Sequence, residues 1–251
     1  MPVSDTARKN HDELFPGHVS RLAATDPELI EYFDNFAFDE VLRHGRLPVR
    51  TRLMVVLSSL IACQALDEYR VMIGAALTVG VSPVEIKEIV YQAVPYVGMG
   101  KVFDFLHATN DVLADRGVEM PLPGQSTTTT EDRAEKGLAV QKEIIGADAV
   151  DALYEGAPED QRHIQRYLSA NCFGDHYTRT GVDIATRELL TFAMLVALGG
   201  CEPQVRGHVA ANVNVGNDRA RLIEVVTQLL PYIGYPRTLN GLRAIDEIAP
   251  A

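Results

Sequence analysis

Basic residues, cysteines and long apolar runs are all scarce in this chain, and each shortage argues against a class of protein. Lys and Arg number 23 against 34 Asp and Glu, a formal net charge of −11 at pH 7. Nucleic acids are bound through basic surfaces, so a nucleic-acid partner is not expected. No run approaches the ~20 apolar residues of a membrane span, and the polar N-terminus lacks a basic-then-apolar signal pattern. The three cysteines, Cys63, Cys172 and Cys201, are odd in number and widely spaced, unlike a secreted disulfide framework. No flavin, haem, nucleotide or metal pattern is present, so no cofactor is expected; the Cys201/His208 pair alone is weak for a metal. Strict apolar alternation over a strand's length is rare. What remains is a soluble, acidic, cytoplasmic protein without membrane contact.

What the chain does contain is helical periodicity, and it contains it twice. Apolar residues recur at helical spacing in Leu53-Met54, Leu57, Leu60-Ile61 and again in Ile86, Ile89-Val90. Ser82-Pro83-Val84-Glu85 reads as a helix start, with a capping serine, a first-turn proline and an acid facing the dipole. Gln92-Ala-Val-Pro-Tyr-Val-Gly98 returns as Gln228-Leu-Leu-Pro-Tyr-Ile-Gly234, and Thr51-Arg52 returns as Thr186-Arg187. The offsets, 187 − 52 = 135 and 232 − 96 = 136, agree within one inserted residue. Phe38 and Phe173, and Glu88 and Glu224, share that register. A period this long marks a duplicated domain rather than a solenoid. The expected architecture is all-α, with one copy in residues 1–117, a polar linker over 118–132 and a second copy in 133–251. Pro95 and Pro231 fall inside helical patterns and should bend or end them.

The second copy carries the candidate chemistry. In Gly199-Gly-Cys-Glu-Pro-Gln-Val-Arg-Gly-His208, the glycine pair interrupts one helix and Pro203 suits the first turn of the next. Cys201 then sits at a helix N-terminus, where the dipole favours thiolate. Spacings of three, four and seven put Cys201, Gln204 and His208 on one face. Two turns amount to ~10.5 Å of rise, too far for direct contact between Cys201 and His208. On the same register the first copy offers Ala65, Glu68 and Met72, without thiol or imidazole. Its site is expected to be degenerate, and the second copy's competent.

These residues resemble the carboxymuconolactone decarboxylase family, within the all-helical superfamily that includes alkylhydroperoxidase D. The family pattern appears as His208, Gly216, Glu224, Gln228, Tyr232, Gly234 and Pro236. It recurs as Gly80, Glu88, Gln92, Tyr96 and Gly98, with Gly100 in the proline's place. The resemblance implies tandem alkylhydroperoxidase D-like domains forming an internal pseudo-dimer, and a homo-oligomer, most simply a trimer of tandem chains. It implies a small-molecule substrate, an organic acid or lactone, with His208 as acid/base and Glu188 at the position of the alkylhydroperoxidase branch's proton-relay glutamate. Arg206 or Arg187 would hold the substrate carboxylate, although Arg206 faces away from His208. Gln204, Tyr232 and His176 are further candidates for substrate contact. Glu88 and Glu224 are read as buried inter-helix salt bridges. A second reading is a thiol peroxidase or disulfide reductase using Cys201, although Gln204 replaces the resolving cysteine of Cys-x-x-Cys. A third is a non-catalytic helical oligomer that binds a ligand.

Overall fold

A computed structural model describes residues 2–18 and 20–250, and no strand occurs among them. The first copy runs α1 (Asp5–Leu14), α2 (Pro27–Asn35), a π-helical segment (Phe36–Glu40), α3 (Val49–Cys63), α4 (Leu66–Thr78), α5 (Pro83–Val97) and α6 (Met99–Asp115). The second runs α7 (Arg133–Ile145), α8 (Ala147–Gly156), α9 (Arg162–Tyr167), a π-helical segment (Leu168–Tyr177), α10 (Ile184–Leu198), α11 (Glu202–Asn214), α12 (Arg219–Ile233) and α13 (Tyr235–Ile248). The register that pairs the copies in sequence also pairs their elements: α3 with α10 at 15 residues each, α4 with α11 at 13, α5 with α12 at 15. Phe38 and Phe173 fall in the two π-helical segments.

The packing follows from where polar residues are missing. Leu53 to Ala62 of α3 and Arg187 to Ala197 of α10 are buried without a break. A helix covered on every side lies inside the molecule rather than on its surface. α3 and α10 pack along each other, with the Ser58 hydroxyl donating to the Leu190 carbonyl at 3.3 Å and the Cys63 thiol to that of Ala197 at 3.7 Å. One apolar core therefore spans both copies, from Leu53 and Ile61 to Leu190 and Val226.

Local signals hold at the helix ends. Ser82 and Glu85 form a reciprocal capping box at α5. Pro95 and Pro231 lie in the last turns of α5 and α12, which end two residues later and are capped by Gly98 and Gly234 with φ of +83° and +77°. Proline has no N–H to give the carbonyl one turn back. For Pro95 that carbonyl is Tyr91's, and His176 bonds to it instead.

The linker is irregular but strapped to the second copy. Thr127 and Thr128 donate to the carbonyls of Thr178 and Gly174, and the Thr180 N–H donates to that of Gln125. Beneath it, α7 meets the second π-helical segment backbone to backbone. A Cβ on Gly137 would lie 2.0 Å from the Ser169 carbonyl oxygen, and one on Gly174 2.2 Å from that of Arg133. That close seat fixes Cys172 and Tyr177.

Candidate active site

Three elements from two copies converge on His208. Glu188 is in the first turns of α10 and fully buried; His208 is in the middle of α11 with its side chain 13% exposed. Its Nδ1 lies 2.8 Å from Glu188 Oε2. Asn212, one turn further along α11, donates to the carbonyls of Glu188 at 3.0 Å and His208 at 2.7 Å. Asn217 donates in turn to the Asn212 side chain at 2.9 Å and to the Ala185 carbonyl at 2.8 Å. These amides set the spacing between α10 and α11 that the carboxylate–imidazole contact requires.

The other carboxylate oxygen receives a second chain of bonds. The Tyr177 hydroxyl donates to Glu188 Oε1 at 2.6 Å. Its oxygen lies 2.8 Å from the Tyr96 hydroxyl and 2.9 Å from that of Thr191, which accepts from Gln92 at 3.2 Å. A hydroxyl has one proton. Tyr177 gives its own to the carboxylate, so Tyr96 and Thr191 both donate toward Tyr177. The Cys172 thiol, 3.8 Å from the Tyr96 oxygen, heads this line. A carboxylate can only accept, so His208 Nδ1 carries a proton and Nε2 is the nitrogen left for chemistry. The edge of Tyr96, from the first copy, meets the His208 ring at 5.5 Å between centroids.

Burial decides the protonation of this network. It pushes the Tyr96 and Tyr177 phenols well above their ordinary range, with the neighbouring Glu188 charge adding to the effect. It pushes the Cys172 thiol up to about 12, so Cys172 stays protonated and unreactive.

Behind Glu188 stands a second cluster. Arg187 is fully buried and donates to Glu88 at 2.8 Å, to Gln92 at 3.0 Å and to the carbonyls of Arg179 and Thr180. Arg179 forks onto the same Glu88 carboxylate at 2.8 to 3.1 Å. Glu88 thus makes the expected buried inter-helix bridge. Glu224 does not: it is half-buried and accepts the Arg46 backbone N–H at 2.8 Å.

Several expected substrate contacts have other partners. Arg187 is committed to Glu88, and Arg206 pairs on the surface with Glu247 at 3.4 Å. Gln204 is exposed in the first turns of α11. His176 bonds to the Tyr91 carbonyl, its Nδ1 is buried without a partner, and burial lowers its pKa. Cys201 is the N-cap of α11, as its sequence suggests, but its thiol donates to the Leu195 carbonyl at 3.3 Å. That bond holds the protonated form, and burial and then the Glu202 charge raise its pKa, against the pull of the helix dipole.

Tyr232 belongs to the pseudo-equivalent position in the other half. Its ring packs edge-on to Phe33 at 5.8 Å, and Arg52, Glu68 and Asp34 are its charged neighbours. There Leu53, Val56 and Met72, all buried, stand on the register of Glu188, Thr191 and His208. The cavity among Leu14, Arg52, Leu53, Val56 and Tyr232 is about 10 Å³, at most one water. Gln228 donates to the Val41 carbonyl, and its Oε1 is buried without a partner.

Sequence reasoning reached the Glu188–His208 pair through the family register. It missed Tyr177, Thr191 and Asn212, and placed Tyr96 only in the repeated motif. A buried-face asparagine one turn beyond His208, where the first copy has Ala76, was the available signal.

Comparison with known proteins shows the family. The model of the carboxymuconolactone decarboxylase family matches residues 27–111 and again residues 162–247, together more than half of the chain. A 4-carboxymuconolactone decarboxylase of Acinetobacter baylyi is 30% identical over 118 residues, 47% of this chain and 87% of that protein. No helix among the described residues is long and apolar enough to cross a membrane. With the family's sequence pattern present twice and its two copies sharing one helical core, the chain belongs to the carboxymuconolactone decarboxylase family as a tandem duplicate.

Proposed function

We propose that the second copy is a carboxy-lyase acting on a small carboxylated lactone or related organic acid, with His208 as acid/base. The observation that carries this reading is the 2.8 Å contact of His208 Nδ1 with Glu188, which leaves Nε2 free. When the scissile C–C bond breaks, the carboxylate leaves as carbon dioxide and its electron pair stays on the substrate, delocalised toward a carbonyl. Protonated Nε2 attracts the carboxylate, then delivers its proton to the delocalised carbanion that carbon dioxide leaves behind, and solvent restores the proton. Glu188 stabilises the imidazolium and fixes ring and tautomer, a positioning role like those of Tyr177 and Tyr96. The similarity to the Acinetobacter decarboxylase supports the substrate class.

The filled counterpart around Leu53, Val56 and Met72 supports a degenerate site in the first copy. A homo-oligomer of tandem chains, as the family resemblance implies, and a cytoplasmic location, as the composition suggests, belong to the same proposal. Thiol chemistry has less support, because Cys201 is held protonated and Cys172 more so.

Cys201→Ser separates these chemistries. Decarboxylation of 4-carboxymuconolactone, followed by the loss of its ultraviolet absorbance, should keep most of its rate. A serine protein that loses the activity while keeping its helical content would show that the thiol is the working group, since a serine hydroxyl stays protonated near neutral pH.

A further inference from the structure

A cleft of about 630 Å³ lies away from His208, between α5, α6 and the linker. That is within the usual range of small-molecule sites. Val84 and linker residues 120–123 form its apolar wall, and Lys87, Tyr91 and Arg179 converge on it. The Tyr91 ring has Arg179 at 4.8 Å and the Lys87 ammonium at 5.8 Å from its centroid.

The charges there do not balance. Glu88 is shared by Arg179 and Arg187, two cations on one carboxylate. Asp111 also lines the cleft but is held by Arg70 at 3.0 Å. Lys87 bonds to a neutral partner, the Asn110 amide oxygen at 2.5 Å. An otherwise acidic protein thus concentrates positive charge around one aromatic face. The arrangement is not inherited from the duplication, because Ile223 and Thr227 hold the second copy's register positions for Lys87 and Tyr91. Half-burial lowers the Lys87 pKa, the mark of a cation short of a counter-ion.

We infer that this cleft binds a small planar organic carboxylate, its ring or conjugated system against Tyr91 and the apolar wall and its carboxylate on Lys87, displacing the Asn110 contact. Lys87 supplies a point charge that Arg179, committed to Glu88, cannot. The inference does not rest on the decarboxylase reading, since no residue of the His208 network contributes the contact.

Titration calorimetry of the full chain with benzoate tests it, with benzamide as the neutral match in shape. Benzoate should bind and benzamide should bind at least about tenfold more weakly, the effect of one charge contact worth ~1.4 kcal/mol. Lys87→Gln should weaken benzoate by a similar factor, while His208→Ala leaves it unchanged. In wild-type protein, benzoate should also protect Lys87 from acetylation, read by mass spectrometry, which does not depend on how the variant folds. No benzoate binding, equal binding of benzamide, or failure of benzoate to protect Lys87 would overturn the inference. Loss of binding in His208→Ala alone would move the ligand to the other site.

Discussion

His208→Ala is expected to lower kcat for decarboxylation by about 10²–10⁴, the usual contribution of a positioned acid/base, with helical content unchanged and the unfolding midpoint lowered modestly, since Glu188 Oε2 loses its partner. The expectation follows from the asymmetry of the ring's surroundings. Nδ1 is bonded to a buried carboxylate, whereas Nε2 has no hydrogen-bond partner among the described residues. Removing the ring deletes the proton donor but leaves Glu188 its bond from Tyr177. Steady-state kinetics with a parallel urea titration reads both quantities. A variant that keeps its rate would remove His208 from the chemistry. One that loses rate only because it unfolds would make the Glu188–His208 contact a matter of packing.

Arg187→Met should have the largest effect on stability, about 3–5 kcal/mol, as when one partner of a buried ion pair is removed. Arg187 is fully buried, and its loss strips donors from Glu88, Gln92 and two backbone carbonyls at once. Arg179 still neutralises Glu88, which keeps the expectation toward the lower end. The contrast is Arg206→Met: its pair with Glu247 is 40% and 46% exposed, and exposed pairs are worth about 0–1 kcal/mol. Urea unfolding checks both, the midpoint falling for Arg187→Met with an unchanged slope. Equal midpoints for the two variants would contradict the buried-cluster account.

The helical fold was legible because two independent signals agree: helical spacing of apolar residues and a register repeated along the chain. The largely apolar stretches Leu53–Ala62 and Leu189–Ala197 are buried because they have few polar residues with which to face water. The site was legible only in part. Glu188 and His208 lie on regular helices and could be placed by register. Tyr177 lies on a π-helical segment, whose bonds run from i to i+5 and defeat a search at helical period. Tyr96 reaches Tyr177 from the other copy, 81 residues away, and no local pattern encodes that meeting. Cys201 was placed correctly at its helix end, but the thiolate is not favoured there because the thiol donates its proton in a hydrogen bond to a backbone carbonyl and burial raises its pKa. Tyr232 shares Tyr96's motif yet serves the other half, where leucine, valine and methionine fill the equivalent space.

Decarboxylation in the second copy by His208, held by Glu188, is the central proposal. Release of carbon dioxide from 4-carboxymuconolactone by the purified chain, measured beside His208→Ala, tests it most directly. The account predicts stoichiometric carbon dioxide from the wild-type chain and little above background from the variant. Equal release from both proteins, or none from a correctly folded wild-type chain, would contradict it.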